Sequence, residues 1–166
     1  RLAQQAKPEL KAKVVYLCQR IRDVLEAVSS QYGDLRDSIE FVRNEENGLP
    51  ASAVLMSSGT MSLACALSAI PGAIVYRLNP ISYWLGRILV KIPYIGIANL
   101  LLKRPLHPEF IQGAAKPKRL AEQILTALDD PQAGQAAADG AAELRELLNP
   151  GSDASAAEWL LRGMAE

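Results

Sequence analysis

Apolar and polar positions in the middle of the chain predict a strand, a turn, a helix and a second strand. Residues 53–56 are a continuous apolar run, which is typical of a strand buried on both faces of a sheet. Residues 61–67 have the composition and spacing of a short helix, which Pro71 and Gly72 end. Residues 73–76 then read as a second buried strand, so the order predicts a parallel crossover unit.

Towards the amino terminus, one apolar stripe at helical spacing predicts a helix over residues 2–28. Residues 38–43 alternate incompletely between apolar and polar, which predicts a strand, and residues 44–50 have the composition of a turn. We expect these elements to complete one side of the sheet. The stripe consists of Leu10, Val14, Leu17, Ile21, Val24, Leu25 and Val28.

The apolar stretch over residues 81–102 predicts two elements rather than a membrane span. Arg87, Lys91 and Pro93 interrupt it well short of the roughly 20 apolar residues that a transmembrane helix needs. We interpret residues 81–90 as an amphipathic helix, opened by a proline, and the chain from Pro93 to position 102 as an extended segment.

The carboxyl-terminal part of the chain predicts further helices. Residues 117–128 carry an apolar helical face, and residues 141–148 and 154–164 also have helical patterns. The composition shifts to Ala, Gly and Gln between the first and second of these helices. We therefore predict one domain over residues 1–130 and a helical tail over residues 131–166.

Small polar residues follow the first predicted strand where a ligand site is expected. Ser57, Ser58, Gly59 and Thr60 form a turn that opens a helix, so free backbone N–H groups and hydroxyls converge near the positive helix end. Arg77 follows the second strand, at the same edge of a parallel sheet. The pattern suggests a phosphate site, although the four turn residues by themselves fit an ordinary helix cap better. The alternatives are that the turn is an ordinary helix cap and that Arg77 binds a helix carbonyl end or an acidic residue.

Charge and composition exclude some classes of partner. The chain has 166 residues, with 18 Lys and Arg against 18 Asp and Glu, so its formal net charge is zero. A nucleic-acid binder normally has a basic excess or a basic face, and we predict no nucleic-acid partner. Basic residues do gather between Arg77 and Arg119, which is compatible with a membrane surface or a polyphosphate.

The reactive side chains predict neither a metal site nor a cofactor. Cys18 and Cys65 lie far apart in helical patterns, and we predict that both are buried thiols. His107 stands between two prolines, a setting that predicts a surface loop. No paired spacing of metal ligands and no Walker-type loop is found in the sequence.

Residues 53–112 resemble the C-terminal domain of lipid-A-disaccharide synthase. The similarity lies in SSGTMSLACAL, in IPGAIVYRLNPISYWLGRILVKIPYIGIANLLLKRP and in PEFIQ. It covers about a third of the chain strongly. The positions that match the family pattern are Ser58, Gly59, Thr60, Leu63, Tyr76, Arg77, Pro80, Trp84, Leu85, Leu89, Val90, Lys91, Tyr94, Asn99, Leu100 and Leu101.

The resemblance implies a Rossmann-like three-layer α/β domain with a parallel sheet, the C-terminal, donor-binding half of a GT-B glycosyltransferase. Such enzymes transfer a diacylated glucosamine from UDP to a lipid-linked glucosamine phosphate. Carried over to this sequence, the resemblance puts Ser58, Gly59 and Thr60 at the donor diphosphate and Asn99 in the donor cleft, with Arg77 as a further candidate. Residues 1–130 would then be an incomplete nucleotide-sugar-binding domain.

The resemblance also implies partners and a location. These are a UDP-sugar donor, a lipid substrate, a membrane surface and an N-terminal catalytic domain. For the C-terminal helices three alternatives stay open, namely packing on this domain, pairing with a second copy as a homodimer, or mobility. The expected location is cytoplasmic, peripheral at the inner membrane of a Gram-negative-type bacterium. Since the chain begins with Arg1 and shows no second Rossmann pattern, we expect a fragment that is inactive alone.

Two departures from the family pattern leave a second interpretation open. Ala64 stands where the family carries a glutamate suited to the ribose hydroxyls, and Pro105 replaces a second acidic residue. Ala98 replaces the proline before Asn99. The alternative is therefore a degenerate, non-catalytic relative, or a fragment that serves partner or membrane association.

Overall fold

The computed structural model describes residues 1–33, 38–44, 50–79 and 93–149. These residues form a mixed α/β structure with parallel sheets, which confirms the predicted fold class. The helices predicted over residues 81–90 and 154–164 lie outside the described residues, as does most of the turn predicted over residues 44–50.

The first sheet contains two parallel strands, β1 (Ala12–Tyr16) and β2 (Ile39–Arg43), paired from Ala12 with Ile39 to Tyr16 with Arg43. β2 confirms the predicted strand. The expectation that it completes one side of the sheet built on residues 53–76 is wrong within the described residues, because β1 and β2 pair with each other in a separate sheet. Helix α1 (Leu2–Ala6) precedes β1, and α2 (Gln19–Ser29) follows it.

The single helix predicted over residues 2–28 is wrong, because β1 divides it. Pro8 cannot occupy a helix interior, since it lacks an N–H and its ring clashes with the preceding turn. The segment from Val14 through Val15 to Tyr16 is β-branched and aromatic, which favours a strand. Val14 matched the helical stripe by its spacing alone.

The second sheet contains the predicted crossover unit and one further strand. β3 (Val54–Met56), α3 (Thr60–Leu67) and β4 (Gly72–Tyr76) follow the predicted order, and β3 pairs with β4 in parallel. β5 (Glu109–Ile111) lies in parallel on the other side of β4, so the strand order is β3-β4-β5. β4 is the central strand, and its Ala73 and Ile74 are fully buried.

The extended segment predicted over residues 93–102 is wrong at its carboxyl end, where helix α4 (Ile97–Leu102) forms. Its alanine and leucines are strong helix formers. Lys103, in the left-handed conformation with φ 53°, ends the helix. Because Ala98, Asn99 and Leu102 are buried, the amphipathic pattern of this segment is helical rather than alternating.

Two helices complete the described chain. α5 (Pro117–Asp129) confirms the helix predicted over residues 117–128. α6 (Pro131–Leu148) begins ten residues before the start predicted at residue 141. Its amino end is built from Pro131 in the first turn and from Asp130, whose carboxylate accepts a hydrogen bond of 2.9 Å from the Gln132 N–H.

α6 contributes to the same core as the helices beside the second sheet. Leu144 of α6 packs in one cluster with Ala66 of α3 and with Ala98 and Leu102 of α4. The domain boundary predicted after residue 130 thus falls between α5 and α6, and the division into a domain and a tail stays a prediction.

The two cysteines differ from the sequence prediction. Cys18 is exposed, because it lies just before α2 rather than on a packed helical face, and Cys65 of α3 is half-buried. Burial raises the pKa of the Cys65 thiol. Within the ranges given above, no helix combines the length and the apolar character that crossing a membrane requires.

Candidate functional site

The turn between β3 and α3 depends on a glycine. Gly59 is the N-cap residue of α3 and has φ 111°, a conformation that favours glycine. Its carbonyl oxygen accepts two hydrogen bonds from Ser62, one from the backbone N–H at 3.0 Å and one from the hydroxyl at 2.7 Å. Ser62 is fully buried, so the turn is anchored from inside the domain.

No side chain caps the amino terminus of α3, so the ordinary cap considered above is not formed. Ser57 and Thr60 are exposed, and Ser58 and Gly59 are half-buried. The first backbone N–H groups of a helix, apart here from that of Ser62, lack the usual helical partner and lie at the positive end of the helix. The sequence-predicted residues Ser57, Ser58, Gly59 and Thr60 therefore surround donors that an anion could satisfy.

Arg77 lies one residue beyond the end of β4 and is exposed. Among the described residues no carboxylate pairs with it. Met56 pairs with Ile74, and Arg77 stands three residues past Ile74, about 10 Å further along the strand direction. The Ser57 turn begins one residue past Met56, so both features emerge at the carboxyl edge of the same two strands.

Asn99 is fully buried in α4 and belongs to a network with His107 and Glu109. Its amide nitrogen donates to the His107 carbonyl oxygen at 2.7 Å and to the Glu109 carboxylate at 2.9 Å. Its amide oxygen accepts from the His107 N–H at 2.9 Å. The contact of Asn99 with a donor molecule stays a prediction, and within the described chain its side chain positions the segment before β5.

Glu109, the first residue of β5, holds the start of α4. Its carboxylate accepts hydrogen bonds of 3.0–3.1 Å from the backbone N–H groups of Ile95 and Gly96, besides the one from Asn99. A carboxylate at this position is stabilised by the helix dipole. Sequence reasoning missed this role, although Glu109 stands in the PEFIQ segment that belongs to the family resemblance.

The surface position predicted for His107 is wrong, because its side chain is buried. Its Nε2 lies 3.0 Å from the Ile70 carbonyl oxygen, and its Nδ1 has no partner among the described residues. Burial lowers the pKa of His107, so the neutral imidazole with a proton on Nε2 fits the site. The flanking prolines predicted a loop correctly, but the His107 side chain is directed into the interior of the domain while Pro105 is exposed.

Two further features bear on ligand chemistry. Ala64 is exposed on α3, one helical turn after Thr60, so it faces the same side as the turn. In the part of the chain that the structure describes, no three His, Cys, Asp or Glu side chains are grouped so that they could hold a metal ion.

Comparison with known proteins identifies relatives of this chain. A protein-family model described as Lipid-A-disaccharide synthetase matches residues 1–161. Proteins named lipid-A-disaccharide synthase from Salmonella agona (strain SL483), Salmonella newport (strain SL254) and Shigella dysenteriae serotype 1 (strain Sd197) are each 30% identical over 161 residues. The match covers 96% of this chain and 42% of each relative, so the chain spans about two fifths of their length.

Proposed function

We propose, from the premise that this chain belongs to the lipid-A-disaccharide synthetase family, that it is the UDP-sugar-binding half of a lipid-A-disaccharide-synthase-like glycosyltransferase. The observation that carries the proposal is the uncapped amino end of α3 behind Gly59, at the same sheet edge as the exposed Arg77. A diphosphate needs both hydrogen-bond donors and positive charge, and these two features supply them.

In this proposal the backbone N–H groups after Gly59 and the hydroxyls of Ser58 and Thr60 bind the diphosphate of the donor. The Arg77 guanidinium pairs with the same phosphates, because its planar donors match phosphate oxygens bidentately. When the sugar is transferred, negative charge develops on the departing UDP. Donors fixed before the reaction stabilise that charge without reorganisation, so this half of the enzyme would assist the departure of UDP.

Asn99 and Glu109 support the proposed site through the backbone. Glu109 binds the backbone at the start of α4, Asn99 ties α4 to Glu109 and to the segment before β5, and Ala98 and Leu102 of α4 pack in one cluster with Ala66 of α3. We assign no catalytic residue to the described chain. The acceptor site and the catalytic residues belong, in this proposal, to an N-terminal domain.

The remaining partners and the location extend the same proposal. We propose a lipid acceptor, peripheral contact with the cytoplasmic face of the inner membrane of a Gram-negative-type bacterium, and pairing with a second copy through the C-terminal helices. The basic residues between Arg77 and Arg119 suit a phosphorylated or anionic lipid surface.

A degenerate, non-catalytic relative is the second candidate, and Ala64 is the observation that favours it. An alanine offers no acceptor for ribose hydroxyls at this exposed position. Pro105 removes another acidic residue of the family pattern. The experiments below separate a domain that binds UDP from one that has lost the ligand.

UDP added to the chain should shift the backbone amide resonances of residues 58–63 more than those elsewhere. The reason is that its phosphates would bind at the amino end of α3. Arg77→Ala should weaken UDP binding about tenfold, the usual effect of one charge-assisted hydrogen bond. Lys11→Ala is the matched control, because it removes one positive charge before β1 and should leave the dissociation constant unchanged.

NMR titration with UDP measures both effects. Resonance shifts confined to another surface would reject the assigned site. An equal loss of UDP affinity in Arg77→Ala and Lys11→Ala would reject it as well. No shift at millimolar UDP would favour the degenerate relative.

Ala64→Glu should tighten UDP binding by up to about tenfold, because the new carboxylate can accept hydrogen bonds from the ribose hydroxyls. The position is exposed, so the longer side chain should fit without repacking. Isothermal titration calorimetry with UDP measures the change. Ala142→Glu, an equal change at an exposed position of α6, is the control. Equal effects in the two variants would mean that Ala64 does not face the ribose.

A further inference from the structure

Gln112 forms a two-way hydrogen-bond clamp on the chain beyond β4. Its side-chain oxygen accepts from the Leu78 N–H at 2.9 Å, and its side-chain nitrogen donates to the Leu78 carbonyl oxygen at 3.0 Å. A primary amide has its donor and its acceptor on two atoms of one planar group, so it can bond the N–H and the carbonyl oxygen of one residue at once. Thirty-four positions separate the two residues, so tertiary structure and not local sequence brings them together.

The clamp lies where the backbone hydrogen bonds between β4 and β5 would otherwise continue. Tyr76 pairs with Ile111, the last residue of β5, and the Ile74 N–H donates towards β5, to the Pro108 carbonyl oxygen at 2.9 Å. Backbone groups alternate in direction along a strand, so Ile74, Tyr76 and Leu78 all present theirs towards β5. The Gln112 amide therefore replaces the missing strand residue opposite Leu78.

The backbone of Gln112 makes this geometry possible. Its φ is 50°, in the left-handed region that non-glycine residues rarely adopt, and it opens a short 3-10 helix over Gln112–Ala114. The chain thus turns away from the sheet while the side chain of Gln112 reaches back to the neighbouring strand. This conformation costs a non-glycine residue free energy, and it usually persists only where the surrounding structure requires it.

The clamp fixes the backbone of the segment that carries Arg77. Arg77 lies between Tyr76, in the ladder, and Leu78, held by Gln112, and both Arg77 and Leu78 are exposed. Since apolar burial does not hold these two residues, hydrogen bonding sets the direction of their backbone. Because neighbouring residues alternate, the backbone groups of Arg77 point towards the β3 side, where the Ser57 turn leaves the sheet.

We propose that Gln112 is a positioning residue for the diphosphate site and acts through Arg77. This inference rests on the proposed function, in which Arg77 binds phosphate. With the clamp in place, the Arg77 side chain starts from a fixed backbone, so less conformational freedom is lost when it pairs with a phosphate. Without it, the same guanidinium is present but its backbone can move.

The test is a double-variant cycle on UDP binding by the chain, measured by calorimetry. Gln112→Met keeps the length of the side chain and removes both hydrogen bonds, and it should weaken UDP binding about threefold to tenfold. In the Arg77→Ala background the same change should have no further effect. Amide exchange of Leu78 should accelerate in Gln112→Met. Gln132→Met is the matched control, because Gln132 is exposed and its side chain has no partner in the described chain.

Each other outcome is decisive. An unchanged dissociation constant in Gln112→Met, or losses that add in the double variant, would overturn the positioning role and leave the proposed function standing. No UDP binding by the wild-type chain would overturn both. If Gln112→Met does not fold, Gln112→Asn replaces it, since the shorter amide cannot span both Leu78 groups, and the same non-additive loss is expected.

Discussion

Asn99→Asp is expected to lower the free energy of unfolding by about 3–5 kcal/mol, the cost of leaving buried polar groups opposed or without partners. The change keeps the shape of the side chain. It replaces the amide nitrogen, which now donates to the His107 carbonyl oxygen and to the Glu109 carboxylate, by an oxygen that repels both. The site is fully buried, so water cannot compensate.

The pH dependence of this loss has a definite sign. The carboxyl group introduced at position 99 would lie beside the Glu109 carboxylate. That neighbouring negative charge would raise the pKa of the introduced group in the folded state, so the folded variant would bind protons more tightly than the unfolded chain. Its stability deficit should therefore shrink as the pH falls and grow as the pH rises through that raised pKa. Urea unfolding at several pH values measures the deficit.

Asn44→Asp is the control for this experiment, because Asn44 is exposed at the end of β2. It should change the unfolding free energy by less than about 0.5 kcal/mol. Equal losses in the two variants, or a deficit in Asn99→Asp that does not vary with pH, would contradict the network as described.

The crossover unit was predictable because its signals are local. Continuous apolar runs marked β3 and β4, and the small residues between β3 and α3 marked the turn. The need for glycine at position 59 is also local, because the positive φ at the start of α3 concerns that residue alone. The Ser57 turn and Arg77 could therefore be placed at one sheet edge from strand order alone.

The features that sequence reasoning missed depend on contacts between distant residues. β1 was missed because a short segment fits more than one periodicity, and pairing with β2 decides between them. In the sequence His107 has the setting of a loop histidine, because its contacts with Ile70 and Asn99 form only in the folded chain. The Gln112 clamp joins two segments whose proximity follows only from the register of β4 and β5.

Gly72→Ala is expected to destabilise the chain by about 3 kcal/mol, at the upper end of what overpacking usually costs. A methyl group on Gly72 would collide with the backbone carbonyl group of Val54, its partner on β3, and would approach the Val54 side chain. Backbone atoms cannot rotate away, so the two strands would have to separate. For a chain of this size the change corresponds to a fall in melting temperature of roughly 6–12 °C.

Gly134→Ala is the control, because the added methyl group on this exposed residue of α6 would meet nothing within 4 Å beyond its chain neighbours and its own helix backbone. It should raise the stability by about 0.5–1 kcal/mol, since alanine favours the helix. Thermal unfolding followed by circular dichroism compares the two variants. A fall of less than about 2 °C in Gly72→Ala would mean that β3 can move away from β4 at little cost.

The position of Gly72 links this loss to the ligand site. The contact of Gly72 with Val54 sets the first pair of the β3–β4 register, and that register brings Met56 beside Ile74. The Ser57 turn and Arg77 extend from those two strands, so their separation depends on the spacing that Gly72 permits. We therefore expect any folded Gly72→Ala protein to bind UDP more weakly, with the affinity loss following the shift in strand spacing rather than any change in the residues of the site.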